Sequence, residues 1–303
     1  MTHPLSGVYA PVVTPFGRDL APDTVRLARL CRTLLDDGCH GLVLFGTTGE
    51  ANSLALAERQ AVLDAVVGAG IPADRLIVGT GLCAIPETVA LTRHALDHGC
   101  RAVLMLPPFY YKAISDEGLY AAYAETFERV GAAGLSVVLY HIPQVSGVGL
   151  SHGLIEHLRA AWPETVVGIK DSTGDWDHTR SLIERFPGLA TFCGTETLLL
   201  ATLGAGGVGT IAAGANVNAR ALRALFDGWR GDDAKARQAA ITAVRQALQT
   251  APMIPGLKAV VAQRFADPAY ARVRPPFLPL GEARGLLAAL AGAGYREVAP
   301  IAG

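Results

Sequence analysis

The feature that most constrains the fold is a series of short apolar runs that recur about every 30 residues. The eight runs are at 7–14, 41–45, 76–80, 102–106, 136–140, 166–170, 191–193 and 208–212. They are nearly continuous in Val, Ile and Leu, which is typical of parallel strands buried on both faces. Stretches with helical spacing lie between them, for example at 23–37, 56–69, 86–98, 116–130 and 151–161. This alternation predicts an α/β fold, a (β/α)8 TIM barrel, with a doubly wound open sheet as the alternative.

The last quarter of the chain lacks strand signals. Residues 232–250, 255–265 and 281–291 have the spacing of additional helices. No linker or low-complexity tract separates them from the barrel. We therefore predict one extended domain, with the barrel and active site in 1–225 and a C-terminal helical extension of that domain in 226–303.

Composition excludes several classes of function. The 26 Lys and Arg nearly balance the 27 Asp and Glu, so the basic surface that nucleic-acid binding needs is not expected. The first 17 residues lack a signal-peptide pattern, and no run of about 18 apolar residues predicts a membrane span. Five scattered cysteines without a Cys-x-x-Cys motif indicate free thiols in a reducing cytoplasm. We expect a cytoplasmic protein with neither nucleic-acid nor membrane partners.

The histidines and glycines supply no motif for a metal or a nucleotide. None of the eight histidines falls in a His-Glu-x-x-His sequence, and no Walker motif occurs. The Gly-x-Gly-x-x-Gly sequence at 204–209 precedes a predicted strand instead of following one, so it is interpreted as a tight turn. We expect no metal and no cofactor.

Polar residues at the ends of the predicted strands are the candidate site, because barrels place reactive groups at the carboxyl ends of their strands. Lys170 ends the sixth run, where an apolar surrounding disfavours the charged amine and a neutral amine can attack a carbonyl carbon. Tyr140 ends the fifth run and offers a phenol for proton transfer. Each could instead be structural: Lys170 as a lysine extending to the barrel mouth or paired with an acid, Tyr140 as a core tyrosine.

The second run ends in Gly46-Thr47-Thr48-Gly49-Glu50. Two hydroxyls and several backbone N–H groups on such a turn can hold a carboxylate. The same sequence is also compatible with an ordinary turn that caps a helix.

Taken together, these motifs resemble the dihydrodipicolinate synthase/N-acetylneuraminate lyase family of class I aldolases. The resemblance rests on the turn at 46–50, on Tyr140 followed by Ile-Pro, and on Gly-Ile-Lys-Asp-Ser at 168–172. It extends from Val-Val-Thr-Pro-Phe at 12–16 through Gly-Val-Gly-Thr-Ile at 207–211 to the C-terminal helices. It implies that Lys170 forms a Schiff base with pyruvate or a similar 2-oxo acid and that Tyr140 relays protons.

The resemblance also implies roles for other residues. Gly46, Thr47 and Thr48 would bind the substrate carboxylate, with the Thr48 hydroxyl linking Tyr140 to a tyrosine of a neighbouring subunit. That tyrosine would be Tyr110 or Tyr111, a choice that the sequence leaves open. The remaining expected contacts are the Ile211 carbonyl at the imine and three side chains of the distal pocket, Ser172, Glu196 and Thr210. A shared tyrosine implies an oligomer, and the family is commonly a homotetramer built as a dimer of dimers.

One departure from the family pattern bears on the substrate. Val145 stands where the synthases of the lysine pathway carry an arginine, and valine cannot make the bidentate pair that holds a second carboxylate. The favoured function is therefore a pyruvate-releasing aldolase acting on 4-hydroxy-2-oxo acids, such as 4-hydroxy-2-oxoglutarate or a 2-keto-3-deoxy sugar acid. The alternatives are a 4-hydroxy-tetrahydrodipicolinate synthase, a dehydratase that uses the same imine, and a barrel that binds 2-oxo acids without catalysis.

Overall fold

Eight parallel strands form a closed barrel in sequence order. The structure is a computed structural model that describes residues 3–131 and 133–296, so the end of the predicted extension lies outside the described residues. Each strand pairs with the next, and β8 pairs with β1. The strands are Gly7–Pro11 (β1), Gly41–Leu44 (β2), Leu76–Gly79 (β3), Ala102–Met105 (β4), Val137–His141 (β5), Val166–Asp171 (β6), Ala190–Cys193 (β7) and Gly209–Ile211 (β8). The predicted (β/α)8 barrel is thus confirmed, and the open sheet is excluded.

Twelve helices lie within the described residues, most of them between successive strands. They are Thr24–Asp36 (α1), Leu56–Gly68 (α2), Ile85–Asp97 (α3), Asp116–Val130 (α4), Pro143–Ser146 (α5), His152–Ala161 (α6), Trp176–Arg185 (α7), Leu199–Ala205 (α8), Ala215–Asp227 (α9), Ala234–Leu248 (α10), Met253–Arg264 (α11) and Arg284–Gly292 (α12). Side-chain caps explain several starts: the Asp23 carboxylate accepts the Arg26 N–H at 3.0 Å, and the Ser151 hydroxyl accepts the Leu154 N–H at 3.0 Å.

The strand residues separate into two apolar clusters, as the two faces of a barrel require. One cluster fills the barrel interior and includes Tyr9, Tyr140, Phe192 and Ile211. The other lies between the strands and the surrounding helices. None of the helices in the described ranges is both long enough and apolar enough to cross a membrane. All five cysteines are free, and four of them are buried.

The barrel closes where two glycines meet. Gly7 on β1 is paired with Gly209 on β8, and a Cβ at Gly209 would lie 1.9 Å from the Gly7 oxygen. Gly209 also has φ of +145°, a backbone conformation that favours glycine. The glycine-rich sequence at 204–209 is therefore the turn into β8, as the sequence predicts, and its last glycine permits closure.

The first strand is shorter than its apolar run. The run at 7–14 predicts a strand through residue 14, but β1 ends at Pro11. Beyond it the Val13 N–H donates to the Asn216 side chain at 3.1 Å instead of continuing the ladder. Hydrogen bonding to the start of α9 thus turns the chain across the carboxyl end of the barrel.

Candidate active site

Lys170 and Tyr140 lie side by side at the carboxyl ends of β6 and β5. They are partners in the strand register, and Phe192 of β7 is the partner of Lys170 on its other side. Because Tyr140 and Phe192 belong to the interior cluster, Lys170 also faces into the barrel. Its Nζ lies 4.3 Å from the centroid of the Tyr140 ring, and both residues are nearly fully buried. The amine therefore lies against the Tyr140 ring inside the barrel instead of extending into solvent.

A turn at residues 46–53, called here the threonine turn, approaches the phenol from β2. It consists of two 3-10 turns, Thr47–Gly49 and Ala51–Ser53, joined by Glu50. The Thr47 Oγ1 lies 3.2 Å from the Tyr140 hydroxyl oxygen. The resemblance assigned this contact to Thr48, but in the structure it is made by Thr47.

The backbone of the threonine turn is fixed by its own hydrogen bonds and by contacts with residues 12–14, which follow β1. The Gly46 carbonyl accepts the N–H groups of Gly49 at 3.0 Å and of Ala51 at 3.3 Å. The Thr14 hydroxyl donates to the Gly49 carbonyl at 2.7 Å. A Cβ at Gly49 would lie only 2.8 Å from the Val12 oxygen, so the approach to the segment after β1 requires glycine. The turn therefore presents Thr47 and Thr48 from a rigid backbone.

A very small cavity of about 10 Å³ lies beside the threonine turn, and its lining includes Gly46, Thr47, Tyr140 and Arg59. Arg59 is 2% exposed, and its guanidinium donates to the Ala51 carbonyl at 2.6 Å. Burial lowers the pKa of Arg59 to about 10. Arg59 is not among the site residues that the sequence motifs predict. A signal was available, because Arg59 lies on the buried stripe of α2 with Val62, Leu63 and Val66.

Ser172 and Glu196 both lie beyond the ends of their strands. Ser172 follows β6, and its hydroxyl would lie 2.2 Å from a Cβ at Gly194. Glu196 follows β7 and is 3% exposed, with Oε2 lying 3.1 Å from a guanidinium nitrogen of Arg245 on α10. Its Oε1 packs against Gly214 at the start of α9. The Glu196 carboxylate is therefore already paired with a cation, which the sequence did not predict.

The two candidates on β8 face opposite sides of the sheet. Ile211 ends the strand inside the barrel, as a residue near the imine would. Thr210 is fully buried, and its hydroxyl donates to the Cys193 carbonyl on β7 at 2.9 Å. Because side chains alternate along a strand, Thr210 faces the helices. The prediction that the Thr210 side chain lines the distal pocket is therefore wrong.

Tyr110 and Tyr111 lie on the loop between β4 and α4, exposed by 73% and 71%. Their rings contact each other edge to face at 5.3 Å. Val145, on the short helix α5, is 63% exposed. Lys112 lies nearby, because its Nζ donates to the Ser146 carbonyl at 2.6 Å. These side chains form an open rim in the single chain, and the choice between the two tyrosines stays open.

Histidines cluster on the outer side of β5 and β6, directly behind the site. The His141 and His178 rings are stacked at 4.6 Å, and the His178 Nδ1 lies 3.1 Å from an Asp171 oxygen. These three residues are close enough to share a cation, although no sequence motif indicated one. However, stacked rings direct their nitrogen lone pairs in parallel, and the His141 Nδ1 already accepts the Leu150 N–H at 3.0 Å. The hydrogen bond to Asp171 raises the pKa of His178, while burial lowers that of His141 to about 4.

The sequence and the fold were both compared with those of known proteins, and both resemble the same family. The dihydrodipicolinate synthetase family model matches residues 4–288. An uncharacterised DapA-like lyase of Chloroflexus aurantiacus is 37% identical, over 90% of this chain and 91% of that protein. Dihydrodipicolinate synthase from Agrobacterium tumefaciens superposes with a TM-score of 0.88 at 32% identity, covering 95% and 99% of the two chains. YagE of E. coli K12, solved in complex with pyruvate, gives 0.87 at 27% identity, covering 96% and 99%.

The closed barrel, with its buried lysine and tyrosine on adjacent strands, defines a lyase of the class I pyruvate aldolase type. The chain belongs to the dihydrodipicolinate synthetase family.

Proposed function

We propose that this protein is a pyruvate-releasing aldolase that cleaves 4-hydroxy-2-oxo acids through a Schiff base on Lys170. One observation carries the proposal: the buried Lys170 amine lies 4.3 Å from the ring of Tyr140, whose hydroxyl contacts Thr47. An amine, a phenol and a hydroxyl in contact are the groups that imine formation and proton transfer require.

The reaction begins when the Lys170 amine adds to the substrate ketone and water leaves. The protonated imine then accepts the electron pair of the C3–C4 bond, which breaks to give an enamine and an aldehyde. Tyr140 and Thr47 carry away the proton of the 4-hydroxyl group. Protonation at C3 and hydrolysis release pyruvate and regenerate the amine. Thr48 and the backbone at Gly46 hold the carboxylate, and the Ile211 carbonyl lies near the imine.

The substrate preference rests on the rim of the barrel. Val145 provides no cation for a second carboxylate. The Glu196 Oε2 is paired with Arg245 and its Oε1 packs against Gly214, so Ser172 is the polar group left to bind a substrate hydroxyl. This arrangement favours a hydroxylated distal end, as in the 2-keto-3-deoxy sugar acids, while 4-hydroxy-2-oxoglutarate stays a candidate to be assayed.

Two measurements test the proposal. Cleavage of candidate 4-hydroxy-2-oxo acids is followed by coupling the released pyruvate to lactate dehydrogenase. Borohydride added with pyruvate should leave a reduced pyruvyl adduct on the intact protein by mass spectrometry, and Lys170→Ala should abolish it. If no candidate yields pyruvate, the aldolase assignment fails. If the wild type forms no adduct, the Schiff base on Lys170 is refuted, and a barrel that binds 2-oxo acids without catalysis becomes the better interpretation.

A second candidate, 4-hydroxy-tetrahydrodipicolinate synthase, is favoured by the 32% identity with the Agrobacterium protein of the related name. It requires another residue to replace the arginine at Val145. Condensation of pyruvate with aspartate semialdehyde, at a rate comparable to the best cleavage reaction, would establish it. A dehydratase that uses the same imine would instead release water and no pyruvate.

The site also supports an assembly proposal. Exposed Tyr110 and Tyr111 leave the Tyr140–Thr47 pair without the third member that the resemblance implies. We infer a homotetramer in the cytoplasm, in which one of these tyrosines completes the proton relay of a neighbouring subunit. Sedimentation of the wild type tests it, and the smaller loss of activity from Tyr110→Phe or Tyr111→Phe identifies the tyrosine outside the relay.

A further inference from the structure

A second buried lysine lies behind the threonine turn, outside the reacting groups. Lys258 on α11 contacts Glu50 Oε1, and both side chains are 0% exposed. The Lys258 Nζ also donates to the Arg272 carbonyl at 2.6 Å and lies 4.3 Å from the Phe16 ring centroid. Burial lowers the pKa of Lys258. A charge pair without solvent is costly to form, so stability alone does not account for it.

The C-terminal extension contacts the threonine turn at more than one residue. The Arg274 backbone N–H donates to the other Glu50 oxygen at 2.9 Å. The Arg274 guanidinium donates to the Ser53 carbonyl at 2.6 Å and pairs with Glu58 at the start of α2. Both oxygens of the Glu50 carboxylate and the end of the turn are thus held by residues of the extension.

Glu50 can transmit a displacement to the reacting groups. Its φ of +55° is in the left-handed region, which a residue with a side chain occupies when its surroundings enforce it. Its N–H donates to the Thr47 carbonyl at 3.1 Å. Thr47 in turn contacts the Tyr140 hydroxyl. Releasing the Glu50 carboxylate would therefore move the threonine hydroxyls relative to Tyr140 and the substrate carboxylate.

We propose that Lys258 and Glu50 are positioning residues, which fix the threonine turn in the geometry that binds the carboxylate of a 2-oxo acid. This inference rests on the proposed function. It makes the C-terminal extension part of the active site, although Lys258 contacts neither substrate nor reacting atoms.

The chain contains a matched control on the same helix. Arg264, also on α11, pairs with Asp37 at 2.6 Å, and these side chains are only 3% and 4% exposed. Asp37 follows α1 and precedes β2, so this pair lies at the amino ends of the strands, opposite the site. Breaking it removes a buried pair without touching the threonine turn, while Asp37 keeps its second partner, Arg220, at 2.8 Å.

The experiment measures the borohydride-trapped adduct against pyruvate concentration, together with Tm. Lys258→Met should raise the half-saturating pyruvate concentration about tenfold or more, since small displacements of positioning groups cost up to about 100-fold. Arg264→Met should also lower Tm, though by less because Asp37 keeps Arg220, and should leave half-saturation within about twofold of the wild type. Lys258→Arg, which keeps the charge, should recover part of the pyruvate affinity.

A double variant covers the case in which the single variant does not fold. Lys258→Met with Glu50→Gln leaves no lone buried charge, so Tm should recover while half-saturation stays raised. The inference is overturned if the double variant binds pyruvate like the wild type, or if Arg264→Met weakens binding equally. A wild type that gives no adduct refutes the proposed function and this inference together, whereas a normal wild type with unaffected Lys258 and Glu50 variants refutes the inference alone.

Discussion

Replacing Thr47 by valine should slow catalysis far more than the same change at Thr48. The two threonines are adjacent and both partly exposed, yet the 3.2 Å contact with the Tyr140 hydroxyl is made by Thr47. Valine keeps the branched shape and removes only the hydroxyl, so the turn should be preserved. The comparison therefore separates a proton-transfer role from a purely structural one.

The expected magnitude depends on what the hydroxyl does. A neutral hydrogen bond contributes about 0.5–1.5 kcal/mol, which corresponds to roughly 2- to 13-fold in rate. Proton transfer by a positioned group contributes about 10²- to 10⁴-fold. If Thr47 takes part in the relay, Thr47→Val should lower kcat by at least about 100-fold. Thr48→Val, which loses only a contact to the carboxylate, should change kcat by less than about tenfold and mainly raise KM.

The assay is pyruvate release, with kcat and KM measured separately and far-UV circular dichroism as the control for folding. A third variant, Tyr140→Phe, makes the test sharper. In the Tyr140→Phe background, Thr47→Val should lower kcat little further, because a relay that already lacks the phenol is not disabled again by loss of the threonine hydroxyl. Equal kcat losses at the two threonines, or additive losses of Thr47 and Tyr140, would refute the relay.

Three further predictions concern pH, specificity and barrel closure. Burial lowers the pKa of His141 to about 4 in the folded protein, against about 6.5 in the unfolded chain, so the unfolded chain binds more protons between these pH values. The free energy of unfolding should therefore fall by roughly 2 kcal/mol as the pH is lowered from 6.5 to 4. His141→Gln should flatten this pH dependence in urea titrations. Val145→Arg should raise the rate of condensation of pyruvate with aspartate semialdehyde by about 10- to 100-fold, as a charged hydrogen bond is worth about 1.5–3 kcal/mol; an unchanged rate places this residue away from the acceptor. Gly209→Ala should destabilise the barrel by about 3 kcal/mol in denaturant unfolding, whereas Gly204→Ala, with open space around it, should be neutral or stabilising.

The fold and the reacting pair could be predicted from sequence because their signals are local. Buried parallel strands need continuous apolar runs, and the lysine and tyrosine end two of those runs. Apart from β1, each strand begins and ends within one residue of its predicted run. The first run misleads because an Asn216 side chain, 203 residues away, takes the hydrogen bond that a longer strand would have made.

Contacts between distant parts of the chain could not be predicted in the same way. Thr47 and Thr48 are chemically identical in the sequence, and only the path of the threonine turn decides which one meets Tyr140. Thr210 looks like a pocket residue until the register of β8 places its hydroxyl on the outer side. Lys258 did leave a signal: it is the one charge within the apolar residues 254–262 of α11, which implies a buried partner but does not say where in the chain that partner lies.

The sealed contact between α11 and the threonine turn also constrains how this protein can evolve. Loss of either charge alone leaves the other charge buried without a partner or water, so a protein with only one of the two substitutions is destabilised. Neutral or apolar residues at both positions are tolerable only when they arrive together. Among descendants of this sequence, acid at 50 and base at 258 should therefore be inherited or replaced as a unit, while Asp37 and Arg264 should vary independently of them.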